Sequence, residues 1–304
     1  YGRADKAAAW MVLAKIYLNA EVFTTEGRNT DCIMYCNKII TSGYTLSPNY
    51  ADVFKADNDE STARNEIIFP IVSDGITTQN WGPTTLMING QVGSLEQNGG
   101  TFGVAAGGWG GALRVTRQFS QIFLNGTYDT DDRNTLITED RPIDITSIQN
   151  NGTGYVIGKW SNKTSQGVNG STIEISDTDF PMFRLADVYL MYAEAVLRGG
   201  TGGTVDQAVT YINNLRARAN NPITINTSDV TLDFLIDERL VELHWEGHRR
   251  QDLIRFNKYT GGAYNWNWKG NSLSGVSISN HLNLFPIPSA SIAANPNLTQ
   301  NPGY

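Results

Sequence analysis

The sequence predicts a mainly α-helical fold made of helical hairpins, with a long irregular region between them that carries short β-strands. Residues 4–22 are alanine-rich and amphipathic, and they contain neither glycine nor proline. A similar helical pattern returns at 181–198. Between the two, residues 48–180 lose helical periodicity and are dominated by glycine, asparagine, threonine and aspartate. With 304 residues, 40% hydrophobic and 17% charged, the chain has the composition of a globular protein.

The first hairpin is predicted to pair 4–22 with a second helix at 30–42. Four residues of the first helix follow the order of large, large, small and large that is typical of a tetratricopeptide repeat. They are Trp10, Leu13, Ala14 and Tyr17. The small residue lets the partner helix approach, and the large residues fill the space around it.

The second hairpin is predicted at 181–198 and 205–220, followed by a further helix at 231–246. Its first helix is predicted to open with Pro181, because proline is well tolerated in a first helical turn. The repeat positions are occupied by Tyr189, Tyr192, Ala193 and Val196, then by Ala208, Ile212 and Leu215. The whole chain, 1–304, is predicted to form one domain with these segments in order: 1–47 helical, 48–180 irregular, 181–260 helical, 261–304 irregular.

Charge and composition exclude several functions. The formal net charge is −7 and no basic run is present, which argues against nucleic acid, whose binding depends on neutralising phosphates. No apolar run approaches the roughly 20 residues of a membrane-spanning helix. Cys32 and Cys36 stand four residues apart on one predicted helix, which favours two small core residues over a zinc site. Because Tyr1 leads directly into a helical pattern, we expect the chain to begin within a longer protein.

The irregular region holds the most informative residues. Strand-like runs appear at 66–72 and 154–160, but long irregular segments within compact proteins are usually functional. Trp109 lies among the glycines of 107–111, and Trp81 lies in a second polar loop. An exposed indole on a loop can cover the flat C–H patch of a sugar ring, because its negative face attracts the polarised C–H bonds. The two residues are therefore predicted to bind a glycan, the alternative being that each indole plugs its loop onto the core.

Sugar hydroxyls also need hydrogen-bond partners, which amide and guanidinium groups supply. Four nearby residues are candidates for this role: Gln79, Asn80, Asn98 and Arg114.

Long stretches of the chain are similar to one known family. They include NEIIFPIVSDG at 65–75, DTDFPMFRLADVYLMYAEAV at 177–196, EGHRRQDLIRF at 246–256 and NPNLTQNPGY at 295–304. On these motifs the chain resembles the SusD/RagB family of outer-membrane nutrient-binding lipoproteins of Bacteroidetes, over residues 2–304. Within the family it looks closest to the starch-binding member.

The resemblance implies a mainly α-helical fold with four tetratricopeptide-like units and a glycan site built from loops. It implies non-catalytic capture of starch or a related oligosaccharide and delivery to a SusC-like TonB-dependent transporter at the outer-membrane surface. In the starch-binding member, aromatic residues at positions that match Trp81 and Trp109 form part of an arc that cradles the glucan. The lipid-anchored N-terminal part of the family is expected to lie outside this chain, with one side of the binding site.

Two acidic clusters are candidates for calcium, because a hard cation prefers clustered oxygens. Asp57 and Asp59 lie in one cluster, and Asp177 and Asp179 lie in the other. The resemblance adds weight, since the family's starch-binding member holds a calcium ion. The alternative is that these carboxylates only cap turns. No other cofactor is expected.

Three further groups are given structural interpretations. Tyr264, Trp266 and Trp268 are expected to pack inward from a strand rather than to form a sugar platform. His244 and His248 flank Glu246, but Gly247 interrupts the helix that a zinc motif would need, so these histidines are expected to be structural. An ion-pair network that ties helices together is predicted for Arg249, Arg250, Asp252 and Arg255.

Two other functions stay open. A glycoside hydrolase would need a pair of carboxylates that flank a sugar. The acidic residues near the loops, Asp74, Asp129, Asp131 and Asp132, show no pattern of that kind. A helical-repeat scaffold that binds proteins would instead use the helical surface.

Overall fold

The computed structural model describes residues 1–92, 99–110, 113–138 and 140–304. The chain divides into two compact units, Tyr1–His248 and Arg249–Tyr304. The prediction of one domain over 1–304 stays a prediction. In the described residues, no helix has both the length and the hydropathy to cross a membrane.

The mainly α-helical prediction is confirmed. In the described part of unit 1 the helices are α1 (Lys6–Leu18), α2 (Ala20–Thr24), α3 (Asn29–Ile40), α4 (Pro83–Gln91), α5 (Arg117–Phe123), α6 (Leu185–Leu197), α7 (Val205–Arg218) and α8 (Leu232–Leu243). Unit 2 contains α9 (Arg249–Arg255) and α10 (Ser289–Ala294). The strands form two antiparallel pairs in unit 1, β1 (Ile67–Ile71) with β4 (Phe180–Arg184), and β2 (Leu136–Ile137) with β3 (Val156–Ile157).

The first hairpin is formed by α1 and α3, as the sequence predicts. Asp5 caps α1 by accepting a hydrogen bond from the Ala8 amide at 2.9 Å. Ala14 of α1 and the two cysteines of α3 are fully buried in one hydrophobic core, so both cysteines pack as small core residues. The predicted helix 4–22 is divided at Asn19, whose side-chain amide donates to a carbonyl of the last turn of α1.

The second hairpin is formed by α6 and α7, but its predicted start at Pro181 is wrong. Pro181 lies in β4, opposite Pro70 of β1, and the helix begins only at Leu185. Proline is tolerated here because a two-stranded sheet has only edge strands, where an N–H can be missing without breaking a central ladder. Pairing with a distant strand therefore prevails over a local helical signal.

The irregular region has a hydrophobic core of its own. Trp160 is fully buried and packs edge-on against Phe54 and stacked on Phe180, with ring centroids 4.9 Å and 5.6 Å away. Regular strand is short here: the predicted run 66–72 becomes β1, and 154–160 contributes only the two residues of β3. Side-chain packing and loop hydrogen bonds hold this region more than extended sheet does.

Ten buried side chains form what we call the buried ionic cluster. Five are basic and five are acidic: Arg133, Lys159, Arg184, Arg216, Arg218, Glu66, Asp131, Glu238, Glu242 and Glu246. Burial alone would raise the pKa of Glu242, but Arg218, Arg184 and Arg133 outweigh it and hold that pKa well below its usual range. The cluster joins β4, α7 and α8 to the residue that precedes β1.

The HWEGH segment is structural, as expected. Glu246 is buried and pairs with Arg184 and Lys159. The His244 ring lies 2.9 Å from the Val241 carbonyl oxygen. Burial and neighbouring basic groups hold the pKa of His244 well below its usual range and lower the pKa of His248 to about 4.

In unit 2, one ion pair of the network predicted for Arg249, Arg250, Asp252 and Arg255 is present, and the role of these residues in tying helices together stays a prediction. Asp252 pairs with Arg255 on the same helix, at 2.7 Å, so this pair ties no two helices together. Arg250 donates to the carbonyls of Leu282 and Asn283.

The aromatic segment 264–268 is half-buried, but it forms a loop rather than the expected strand. Trp266 packs between Tyr259 and Tyr264, at ring-centroid distances of 6.0 Å and 5.8 Å. The Lys269 ammonium lies 4.8 Å from the Trp266 ring centroid and donates to the carbonyl of Tyr264. The rings therefore pack within unit 2 in the structural role that the sequence favours.

Removing one member of the buried ionic cluster is expected to destabilise the fold strongly. Arg184→Gln removes one partner from each of Glu66, Glu242 and Glu246, and breaking a buried pair costs about 3–5 kcal/mol. Chemical denaturation measures the free energy of unfolding. The control Arg28→Gln breaks an exposed pair with Asp31 and should cost no more than about 1 kcal/mol. Equal effects of both substitutions would contradict the prediction.

His248 is expected to make the protein less stable in mild acid. Its pKa lies near 4 in the folded chain and near 6.5 when unfolded, so the unfolded chain binds the extra proton between these values. The contribution of the neutral His248 ring to the free energy of unfolding is therefore fully present above about pH 6.5. It is lost as the pH falls towards 4, by at most about 1.4 kcal/mol per pH unit. His248→Gln should flatten the pH profile of unfolding in that window. A profile of unchanged slope would refute the assignment.

Candidate functional site

The short helix α4 supports the candidate site, and Trp81 lies just before it. Gly82 occupies the N-cap and Pro83 the first helical turn, where a missing N–H costs nothing. The Asn80 side chain accepts a hydrogen bond from the Gly82 amide at 2.7 Å, and the Asn80 carbonyl accepts one from Thr85. These contacts fix the backbone on both sides of Trp81, whose side chain stays 61% exposed.

Trp109 is docked on the other end of the same helix. The last carbonyls of a helix have no partner within it. In α4 they are satisfied by the neighbouring loop, since Trp109 N donates to Asn89 O at 2.9 Å and Leu113 N to Gly90 O at 3.0 Å. Trp109 therefore has a fixed backbone, although its side chain is 40% exposed.

The glycines around Trp109 are explained by this docking. Gly108 has a φ of +45°, in the left-handed region that favours glycine. A Cβ at this position would lie 2.6 Å from the Val92 Cβ and 2.8 Å from the Asn89 carbonyl oxygen. The loop can approach α4 closely only because Gly108 has no side chain. Gly111 lies outside the described residues.

The two predicted tryptophans come together. Their ring centroids lie 6.4 Å apart and their planes differ by 22°. Neither ring plugs a core, which was the alternative interpretation. Trp81 and Trp109 therefore form an exposed, near-parallel aromatic pair at the surface of unit 1.

Gln79 and Asn80 lie on the loop that leads to Trp81. The Asp74 carboxylate accepts hydrogen bonds from the amides of Ile76 and Thr78, which closes this turn. Gln79 adopts a left-handed φ of +43°, and its side chain is exposed. Within the described residues its side-chain amide has no hydrogen-bond partner, so it is free to meet a ligand.

Arg114, a predicted hydrogen-bond partner for sugar hydroxyls, binds backbone carbonyls in the structure, and its glycan-binding role stays a prediction. Its guanidinium donates four hydrogen bonds to backbone carbonyls of the loop 147–153, which we call the amide loop. Sequence reasoning missed the amide loop, although Gln149, Asn150 and Asn151 carry amide side chains in succession. Asn98, the remaining candidate, lies outside the described residues.

Two of the carboxylates predicted to hold calcium, Asp57 and Asp177, accept hydrogen bonds from loop residues of the protein. Among the described residues, no group of three or more histidine, cysteine, aspartate or glutamate side chains is placed to hold a metal ion. Asp57 accepts from the amide and hydroxyl of Ser165. Asp177 accepts from the Gly75 amide and from the amide and hydroxyl of Ser171. Both act as turn caps, in line with the alternative.

Asp179 and Asp59 differ from that pair. The Asp179 carboxylate accepts a hydrogen bond from the Ser73 amide at 2.7 Å, and the Tyr1 hydroxyl lies near enough to the carboxylate to lower its pKa in part. Burial, with the nearby Asp59 and Asp74 carboxylates adding to it, raises the pKa of Asp179 to about 6. A cation there would relieve this cost, so calcium at the four carboxylates Asp57, Asp59, Asp177 and Asp179 stays a prediction, with Asp59 and Asp179 as the residues best placed to test it.

Three acidic residues near the loops, Asp74, Asp131 and Asp132, are poorly suited to acid–base catalysis. A general acid in a glycosidase needs a raised pKa. Hydrogen bonds from the amides of 76–78 hold the pKa of Asp74 below its usual range. Asp131 is buried against Arg133, and Asp132 accepts from Asn220. These three carboxylates have structural partners in the protein.

Several known proteins are similar to this chain. A family model described as the SusD family matches residues 96–304. The starch-binding protein SusD of Bacteroides thetaiotaomicron is 36% identical to this chain over the whole length of the chain. The match covers 61% of the length of that protein. A SusD-like protein of Bacteroides ovatus is 26% identical over 88% of the chain and 50% of its own length.

Solved structures share the fold. Surface glycan-binding protein A from Bacteroides thetaiotaomicron, in complex with laminarihexaose, superposes with a TM-score of 0.70 at 26% identity. The match covers 99% of this chain and 64% of that one. A SusD superfamily protein from Bacteroides vulgatus also gives a TM-score of 0.70, at 23% identity, with 100% of this chain and 60% of that chain covered.

If calcium binds at Asp59 and Asp179, millimolar calcium should raise the melting temperature relative to chelated protein. A ligand present at one hundred times its Kd stabilises the folded state by about 2.7 kcal/mol. Asp179→Asn should abolish the shift, whereas the control Asp206→Asn on the exposed first turn of α7 should keep it. Differential scanning calorimetry measures the shift. An identical melting temperature with calcium and with chelator would rule out the site.

Proposed function

Because the chain belongs to the SusD family, we propose that it binds a glycan without cleaving it. The aromatic pair of Trp81 and Trp109 carries the proposal. Two exposed, near-parallel indoles 6.4 Å apart contribute little to a fold but offer neighbouring apolar faces to sugar rings. Gln79 and Asn80 provide amide groups beside them for hydroxyls.

Starch or a related α-glucan is the proposed ligand. The 36% identity to a starch-binding protein supports this choice over other glycans. A β-glucan is the natural competitor, since a structural relative binds laminarihexaose. Each ring stack contributes about 0.5–1.5 kcal/mol beyond the buried area. A long glucan that touches both rings should therefore bind more tightly than maltose, because it loses less entropy for each contact.

The proposed setting is the outer-membrane surface, where the protein would pass its glycan to a SusC-like TonB-dependent transporter. Family membership supports this setting and partner. A non-catalytic role is supported by the carboxylates, because the loop residues Asp74, Asp131 and Asp132 are held by amides, Arg133 and Asn220. The chain would act by capture alone.

Replacing either tryptophan should weaken glycan binding. Trp81→Ala and Trp109→Ala are each expected to lower the affinity for long maltooligosaccharides about tenfold, since about 1.4 kcal/mol corresponds to that factor. Isothermal titration calorimetry against starch, maltooligosaccharides, maltose and laminarin measures the affinities. Phe23→Ala is the matched control, because Phe23 is 67% exposed on α2, away from α4 in the sequence.

Three outcomes would contradict the proposal. Release of reducing ends from starch would make the chain a hydrolase. Unchanged affinity in the double tryptophan variant would move recognition to another surface, as a helical-repeat scaffold would require. Equal affinity for maltose and for a long maltooligosaccharide would exclude recognition by both rings at once.

A further inference from the structure

The Trp109 loop is held from two sides, and only one of them is α4. On the other side, the Asn151 side-chain amide donates to the Gly110 carbonyl at 2.6 Å. Gly110 follows Trp109 directly and has a left-handed φ of +75°. The Gly110 amide also donates to the Gly107 carbonyl at 3.4 Å, so this local turn contact and the shorter Asn151 contact together hold the backbone beside Trp109.

The amide loop that carries Asn151 is itself organised by Arg114. One terminal nitrogen of the guanidinium donates to the carbonyls of Ser147, Asn150 and Thr153, at 3.3, 2.6 and 3.0 Å. The other donates to Ile148 at 2.9 Å. Partial burial lowers the pKa of Arg114, which agrees with a guanidinium that has exchanged water for these carbonyls.

This clamp suits arginine in particular. A guanidinium presents several N–H donors in a rigid plane, whereas a lysine ammonium is a compact point charge that cannot span four carbonyls. Hydrogen bonds from a charged donor contribute about 1.5–3 kcal/mol, against about 1 kcal/mol for neutral ones. The Arg141 guanidinium adds a bond to the Asn151 carbonyl. The amide loop is thereby a rigid support rather than a flexible tip.

We propose that Arg114 and Asn151 are positioning residues of the glycan site, which orient Trp109 through the amide loop and the Gly110 carbonyl. The inference rests on the proposed function for its effect on binding. Neither residue needs to touch the glycan. Arg114 fixes the loop, the loop presents Asn151, and Asn151 holds the backbone beside the indole.

The first test needs no ligand. The protein is labelled with fluorotryptophan, and the fluorine NMR signal of Trp109 is assigned by its loss in Trp109→Phe. Asn151→Ala and Arg114→Lys should both shift or broaden the Trp109 signal and leave that of the buried Trp160 in place. Asn134→Ala is the matched control, since its amide also donates to a loop carbonyl, that of Tyr128. A Trp109 signal unchanged in both test variants would overturn the proposal.

The second test measures binding. Asn151→Ala should weaken affinity for long maltooligosaccharides about threefold to tenfold, the factor that loss of one hydrogen bond allows. In a Trp109→Ala background the same substitution should have no further effect, because Asn151 acts through the indole. A full additional loss in that background would show direct contact with the glycan and overturn the positioning role, as would unchanged affinity in the single variant. If the unsubstituted chain binds no polysaccharide, the proposed function fails while the NMR test still decides the positioning.

Discussion

The buried ionic cluster is the constraint on which the rest of unit 1 depends. Ten charges without water must each find a partner, because an isolated buried charge costs several kcal/mol. Arg184 at the end of β4 meets this need with Glu66, Glu242 and Glu246, so the strand, the residue before β1 and helix α8 cannot shift independently. Arg218 extends the same requirement to α7. Directional ion pairs thus fix the register in which the helical hairpin meets the irregular region.

The position of the candidate site depends on that register. Beyond β1 the chain reaches Ser73, whose amide donates to Asp179 just before β4, and Ser176 donates to Thr85 inside α4. The β1–β4 pair therefore places α4, and α4 places both tryptophans. Each of these links is a backbone pairing or a hydrogen bond to a short polar side chain, and such links allow few alternative geometries. An exposed aromatic pair can accordingly keep one arrangement without being packed into a core.

The sequence predicts those elements of the structure that depend on neighbouring residues, such as the helices. The periodicity of 4–22 or 205–220 requires only neighbouring residues, and α1 and α7 follow it closely. The glycines around Trp109 mark an unusual backbone, so the sequence predicts an exposed indole at this position. The 6.4 Å separation of the Trp81 and Trp109 rings depends instead on the docking of the Trp109 loop onto α4. Pro181 was misread because its strand partner lies more than one hundred residues away. The contact between Arg114 and the amide loop leaves no signal in the sequence, since Arg114 binds backbone carbonyls, which every sequence supplies.

Stability and recognition are consequently placed on different residues. Trp81 and Trp109 leave large parts of their rings in water and so give up much of the free energy that burial of an indole provides. The fold is held instead by the helical core and the buried ionic cluster, which lie elsewhere in the sequence. Side chains in the 79–81 and 107–110 loops can therefore change the preference for a ligand at little cost to folding. Gly108 and Gly110 are exceptions, because the approach to α4 leaves no room for a side chain at Gly108 and the left-handed φ of +75° at Gly110 favours glycine. At these two positions the requirements of the fold and of the site coincide.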